Sequence, residues 1–241
     1  EGIRNFPRFP KLWMMRGQLW ETLGDKEKAR AAYQRGLKLN AHSVALWLCA
    51  SRLEFTMYGA AKTRALLEKA RLHNRKNARL WLESVRVEIK SSDNKNVATS
   101  VLAKALHDCP TSGILWAERI RLEKAPQKRA RSFDALKKCD QDPYVMLEVA
   151  KLFWKDRKIN KARTWFNRVI NRQPDFGDAW ATYYRFEVQH GTEEQREALK
   201  KKCIDADPRH GELWINISKS IENEALKPGQ LLLKVAASIR M

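Results

Sequence analysis

The sequence predicts an all-α protein, a right-handed α-solenoid of antiparallel helix pairs stacked in about seven repeats. Three observations carry that expectation. Tryptophans stand at 13, 47, 81, 116, 180 and 214, at steps of 34, 34, 35, 64 and 34, and Met146 divides the long step into 30 and 34. A second motif runs in phase with the first: "KARAAYQRG" (28–36), "KTRALLEKA" (62–70), "VATSVLAKA" (97–105) and "KARTWFNRV" (161–169) each end eleven residues before the next Trp or its substitute. Pro110, Pro143, Pro174 and Pro208, beside Asp, Asn or Ser, punctuate the intervals. A period near 34 is that of stacked helix pairs, in which no unit buries its apolar face alone.

Each element follows from these spacings. The first helix of a pair, helix A, carries the Trp, as in "LWLCASRLE" (46–54), "LWLESVRVE" (80–88), "LWAERIRLE" (115–123) and "AWATYYRFE" (179–187). The second, helix B, ends on Gly36, Ala70, Ala105, Ala135, Val169 or Cys203. Nearly all are small, as close helix crossing requires. Proline with polar neighbours stops one helix and starts the next. The expected organisation is one solenoid domain, 1–241, with repeats at 7–40, 41–74, 75–109, 110–139, 140–173, 174–207 and 208–241. Residues 1–6 are read as the tail of a preceding repeat, which makes the chain a piece of a longer array. The fourth repeat, 30 residues long, has a shortened turn around Pro126, where a change of superhelical pitch is expected.

Helical geometry assigns roles to the recurring residues. At about 100° per residue, a side chain seven positions after Trp lies only about 20° from it. Glu54, Glu88, Glu123 and Glu187 hold that position. A carboxylate facing inward needs a partner, and the helix B arginines Arg30, Arg64, Arg129 and Arg163 are the candidates. Trp13, Trp47, Trp81, Trp116, Trp180 and Trp214 are read as structural, filling the interface between A and B. Five positions after Trp, about 140° away, come Gln18, Arg52, Arg86, Arg121, Lys151, Arg185 and Lys219. With A helices lining the concave side, Arg52, Arg86, Arg121, Lys151, Arg185 and Lys219 form a basic stripe for an acidic partner. Glu83, Glu118 and Glu148 stand three residues before Arg86, Arg121 and Lys151, the spacing of a weak helical ion pair. Arg52, Arg185 and Lys219 lack such a neighbour.

Composition bounds the function. The chain is 44% apolar and 31% charged, with net charge +19. It is globular, and suited to acidic proteins or nucleic acid. No apolar run spans a bilayer, so no membrane contact is expected. The four cysteines form no CxxC pair and are read as reduced thiols. There is no Gly-rich phosphate loop, nucleophile motif or metal-ligand spacing, so no catalytic residue, metal, cofactor or small-molecule substrate is expected. Basic clusters at Arg75/Lys76/Arg79, Lys128/Arg129/Arg131 and Lys200/Lys201/Lys202 read as solvated faces, with phosphate contact as the alternative.

Glu at the seventh position, with Arg in helix B, resembles the half-a-tetratricopeptide (HAT) repeat more than the tetratricopeptide repeat, although Trp20 and Phe153 depart toward the latter. The strings "SGILWAE", "DALKKC", "VAKLFW", "KARTWFNR", "GDAW", "FEVQHGTEEQ" and "PRHGELW" resemble the C-terminal repeats of the pre-mRNA-processing factor six family, from about Phe9 to Lys219. That resemblance implies a nuclear splicing scaffold whose partners are other spliceosomal snRNP proteins. In the family it bridges the U5 particle and the U4/U6 particle in the tri-snRNP. The alternatives are sequence-tolerant binding of snRNA phosphates and a tetratricopeptide-type peptide clamp outside splicing.

Overall fold

A computed structural model describes residues 2–91 and 95–239, and among them fifteen α-helices and no strand beyond one isolated bridge, Phe176 to His210. After a short α1 (Gly2–Asn5), the helices come in pairs: α2 (Pro10–Thr22) and α3 (Lys26–Leu39), α4 (Val44–Tyr58) and α5 (Ala60–His73), α6 (Ala78–Ser91) and α7 (Lys95–Asp108). There follow α8 (Gly113–Leu122) and α9 (Lys128–Lys138), α10 (Pro143–Lys155) and α11 (Ile159–Arg172), α12 (Gly177–His190) and α13 (Glu193–Ala206), and α14 (Glu212–Ser218) and α15 (Pro228–Ser238). The protein is an all-α helical solenoid. The turn between α6 and α7, residues 92–94, lies outside the described residues, as do residues 1, 240 and 241.

Local chemistry sets the helix ends. Asp25 accepts from the Lys28 N–H at 2.9 Å at the start of α3, and Asp142 caps α10 ahead of Pro143. Thr192 and Gln195 form a reciprocal capping box on α13. At the far end of the first six B helices, the N–H four residues on returns to the carbonyl of the small residue. Asn40 reaches Gly36, Asn74 reaches Ala70, Cys109 reaches Ala105 and Cys139 reaches Ala135, all at 2.8–3.0 Å. Ala70, Ala105, Ala135, Val169 and Cys203 have no exposed surface, and a Cβ added to Gly36 would lie 2.7 Å from Trp13 Cβ.

Packing divides the chain between Leu122 and Glu123 into two compact units. In the first, successive A helices touch (α2 with α4, α4 with α6, α6 with α8), with no comparably extensive contact between successive B helices. The A helices therefore line the tighter side of that unit. In the second, Trp154, Phe166, Tyr183 and Phe186 form an aromatic core, and α15 closes over α12, α13 and α14. The fourth pair differs from the expectation of a shortened turn alone. Helix α8 itself stops at Leu122, and Pro126 lies in a 3-10 turn, Ala125–Gln127.

Candidate functional site

Four of the tryptophans join their helix A to the turn before it. The indole Nε1 of Trp13 donates to the Pro7 carbonyl at 2.7 Å, Trp47 to Ala41 at 2.7 Å, Trp116 to Pro110 at 2.8 Å and Trp180 to Pro174 at 2.7 Å. Each acceptor lies six residues back, so the indole fills the interface and ties the turn at once. That second task requires a ring N–H, which Phe lacks. Trp13, Trp47, Trp180 and Trp214 are buried; Trp81 and Trp116 are half-buried. The Arg71 guanidinium lies over the Trp81 ring, 4.2 Å from its centroid.

Three of the four glutamates at the seventh position meet an arginine 24 residues earlier. Arg30 Nε lies 2.5 Å from Glu54, Arg64 binds Glu88 through two bonds of 2.7 and 2.9 Å, and Arg163 binds Glu187 in the same bidentate way. The arginine belongs to helix B of one pair and the glutamate to helix A of the next, so the bond ties consecutive repeats. Glu54, Glu88 and Glu187 are buried, and a buried carboxylate is tolerated where a charged, bidentate donor meets it. The helix B arginine's pKa is raised in each pair, chiefly by the hydrogen bond to its glutamate. Around Glu187 the network extends. Gln195 Oε1 accepts from the Thr192 N–H at 3.1 Å and from Arg163 at 3.4 Å, and a Cβ on Gly191 would collide with the Glu187 carboxylate.

Glu123 and Arg129 are arranged differently. Because α8 ends at Leu122, Glu123 stands in the bend beyond it and pairs with Arg131 at 3.2 Å, eight residues on. Arg129 pairs with Asp156 at 2.6 Å. The residue 24 before Glu123 is Thr99 and the residue 24 after Arg129 is Phe153, so neither charge has its repeat partner and each pairs elsewhere.

Among the six cations of the expected stripe, Arg86, Arg121 and Lys151 sit beside Glu83, Glu118 and Glu148 at 3.9, 3.0 and 2.9 Å. Those three glutamates are buried, which the three-residue spacing alone did not reveal. Arg52 has Cys49, not an acid, three residues before it, but Glu83 of the next helix A lies 3.8 Å away. The partner lies 31 residues away, outside any local window. Among the described residues no carboxylate lies within 4.0 Å of Arg185, half-buried on α12, or Lys219, exposed at the end of α14.

The last two turns are zipped together. Asp178 accepts the N–H groups of Glu212, Leu213 and Trp214 at 2.7–3.3 Å and so caps α14 from α12. Gly211 permits the approach: its φ is +132°, and a Cβ there would lie 2.5 Å from Asp178 Oδ1. Asp175 accepts the Arg209 N–H at 2.5 Å and bonds the His210 ring. Burial opposes its ionisation, but those bonds win and hold the Asp175 carboxyl below the usual range. Burial pushes the Cys139 thiol up to about 11 and that of Cys203 to about 12, so both are poor nucleophiles. No described helix is long and apolar enough to cross a membrane, and no group of three His, Cys, Asp or Glu among the described residues could hold a metal.

Comparison with known proteins gives this geometry a family. The model described as "PRP6, TPR-like domain" matches residues 7–234. The chain is 57% identical over 115 residues to "Pre-mRNA-processing factor 6" of Homo sapiens, a match covering 48% of this chain and 12% of that protein. It is 36% identical over 230 residues to "Pre-mRNA-splicing factor prp1" of Schizosaccharomyces pombe, covering 95% of this chain and 25% of that protein. With "Pre-mRNA-splicing factor 6" of Saccharomyces cerevisiae it shares 24% over 238 residues, covering 97% and 26%. The chain thus spans a quarter or less of the human and fission-yeast relatives' length, and about a quarter of the budding-yeast one's. A family match over nearly the whole repeat array, on a stack of Trp-stapled helix pairs, places this chain in the PRP6 TPR-like domain family of pre-mRNA splicing factors.

Proposed function

We propose that this chain is a non-catalytic scaffold segment of a nuclear splicing factor, holding proteins of the U5 particle and of the U4/U6 particle together during tri-snRNP assembly. All seven repeats are read as one functional domain. The family match across residues 7–234 carries this reading. Arg52, Arg86, Arg121, Lys151, Arg185 and Lys219 are assigned to the partner surface, with Arg185 and Lys219 contributing most because no carboxylate among the described residues offsets them. An extended acidic segment of a partner protein suits such cations. The net charge of +19 favours a second reading, contact with snRNA phosphates without sequence readout. Capture of U5 and U4/U6 proteins from nuclear extract, with and without RNase, separates the two. RNase-resistant recovery of both sets supports the scaffold, and loss of both with RNase supports phosphate tethering.

A further inference from the structure

The fifth repeat is the one without its tryptophan, and a cavity of about 520 Å³ lies where that residue would act. In four other repeats the indole N–H bonds the carbonyl six residues back. Here the two positions are Met146 and Asp140, and both line the cavity, together with Leu136, Trp165, Arg168 and Arg172. No described N–H donates to the Asp140 carbonyl. Met146 is buried, but it carries no ring N–H and is shorter than Trp. The volume lies within the range of about 300–1,000 Å³ typical of ligand sites.

The rim is charged for a defined partner. Arg168 and Arg172 are exposed, and among the described residues no carboxylate lies within ion-pair distance of either. Arg168 lies over the Trp165 ring, 5.2 Å from its centroid. Asp140 is the one acid on the lining, so the site is net positive. We propose that this cavity is a docking socket for a tryptophan of an acidic peptide segment in a partner protein. The partner's indole takes the place that the chain's own tryptophans take elsewhere, and flanking carboxylates meet Arg168 and Arg172. A peptide is favoured over a nucleobase because the neighbouring repeats show the same arrangement holding an indole. None of the A-helix cations lines this cavity.

The test is an NMR titration of the 241-residue chain with ¹³C-methyl methionine, five of which are present. N-acetyl-L-tryptophan should shift the Met146 methyl saturably and leave Met14, Met15 and Met57 unmoved. N-acetyl-L-tryptophanamide, which lacks the carboxylate, should bind about tenfold more weakly, as should the acid to the Arg168→Ala/Arg172→Ala variant. Met146→Trp should abolish binding measured by saturation transfer from the ligand. If that variant does not fold, the arginine variant still decides. No saturable shift at Met146, equal shifts at all methionines, equal binding of acid and amide, or tighter binding of adenosine monophosphate than of N-acetyl-L-tryptophan would each overturn the proposal.

Discussion

Arg163 and Glu187 share two parallel hydrogen bonds, Nε to Oε1 at 2.7 Å and Nη2 to Oε2 at 2.9 Å, across a sequence separation of 24 residues. The arginine stands on α11 and the glutamate on α12, so the pair bridges two repeats. Arg64 and Glu88 repeat the geometry between α5 and α6. A solenoid has few long-range contacts, and its stability rests on nearest-neighbour interfaces. A bidentate ion pair at such an interface fixes the stagger of one repeat on the next as well as contributing energy.

Removing one partner should cost more where solvent reaches less of the pair. Glu187 is 2% exposed and the Arg163 side chain 26%, whereas the Arg64 side chain is 52% exposed. Arg163→Ala should lower stability by about 2–4 kcal/mol, because it strands a buried carboxylate. Arg64→Ala should cost about 1–2 kcal/mol, since solvent reaches that pair. Chemical denaturation of both variants, with Glu187→Gln and Glu88→Gln to complete the cycles, gives the coupling energies. Equal couplings would show that burial does not set the strength of these ties.

The crossing at Gly36 offers a test of the helix register. Alanine favours a helix over glycine by about 1 kcal/mol. Here the new Cβ would lie 2.7 Å from Trp13 Cβ and 2.9 Å from its Cγ, atoms held close to the α2 backbone. Overpacking of that kind costs about 1–3 kcal/mol, so Gly36→Ala should be destabilising on balance. Ala70→Leu and Ala105→Leu should act in the same direction. A raised denaturation midpoint in all three would mean that the close approach is absent in solution.

The helix pairs were legible because the period is carried by large side chains whose packing and turn bonds admit little drift. The small residues at the ends of B helices could likewise be placed by counting. What the linear pattern hid lies between repeats. Arg52 looks unpartnered along its own helix, yet Glu83 reaches it from the next one. Glu123 follows the motif letter for letter, yet α8 ends one residue before it, and its partner changes to Arg131. Spacing fixes a direction around one helix, whereas the partner stands on another, and 24 residues before Glu123 the chain has Thr99 in place of arginine. The bond from four of the indoles to a turn carbonyl was visible only as a six-residue interval, with nothing to mark it as a contact.

The Asp175–His210 contact should make the second unit sensitive to acid. The Asp175 carboxyl is held below its ordinary value, so its contribution is present above that value, about 4, and is lost as pH falls through the lowered one. Asp178 works in the opposite sense, because burial raises its carboxyl despite the three N–H bonds it accepts. The difference between the native chain and Asp175→Asn isolates the first effect. Thermal melts from pH 6 to pH 3 should show the two converging as the pH drops. A constant gap across that range would mean that Asp175 acts only through its uncharged geometry.

Arg185 and Lys219 carry the sharpest prediction about function. Both stand five residues after a tryptophan, on α12 and at the end of α14, two A helices that pack together. Neither has a carboxylate within ion-pair distance among the described residues, so their charge does nothing evident for the fold. Arg185→Glu/Lys219→Glu should change stability by no more than about 1 kcal/mol, because Lys219 is exposed and the half-buried Arg185 has no ion pair among the described residues to lose. It should nonetheless weaken the proposed capture of U5 and U4/U6 proteins, because two attractive charges become repulsive. Arg52→Glu makes the contrast. It sets a second carboxylate beside buried Glu83, so stability should fall first, by about 1–2 kcal/mol. Each variant is to be measured twice, by thermal melt and by pull-down from RNase-treated nuclear extract. If the double reversal unfolds the chain, the two cations have structural partners after all. If it folds and still captures every protein that the native chain captures, the A-helix cations of the second unit are not the partner surface. Loss of capture with an unchanged melt is the result that assigns them to it.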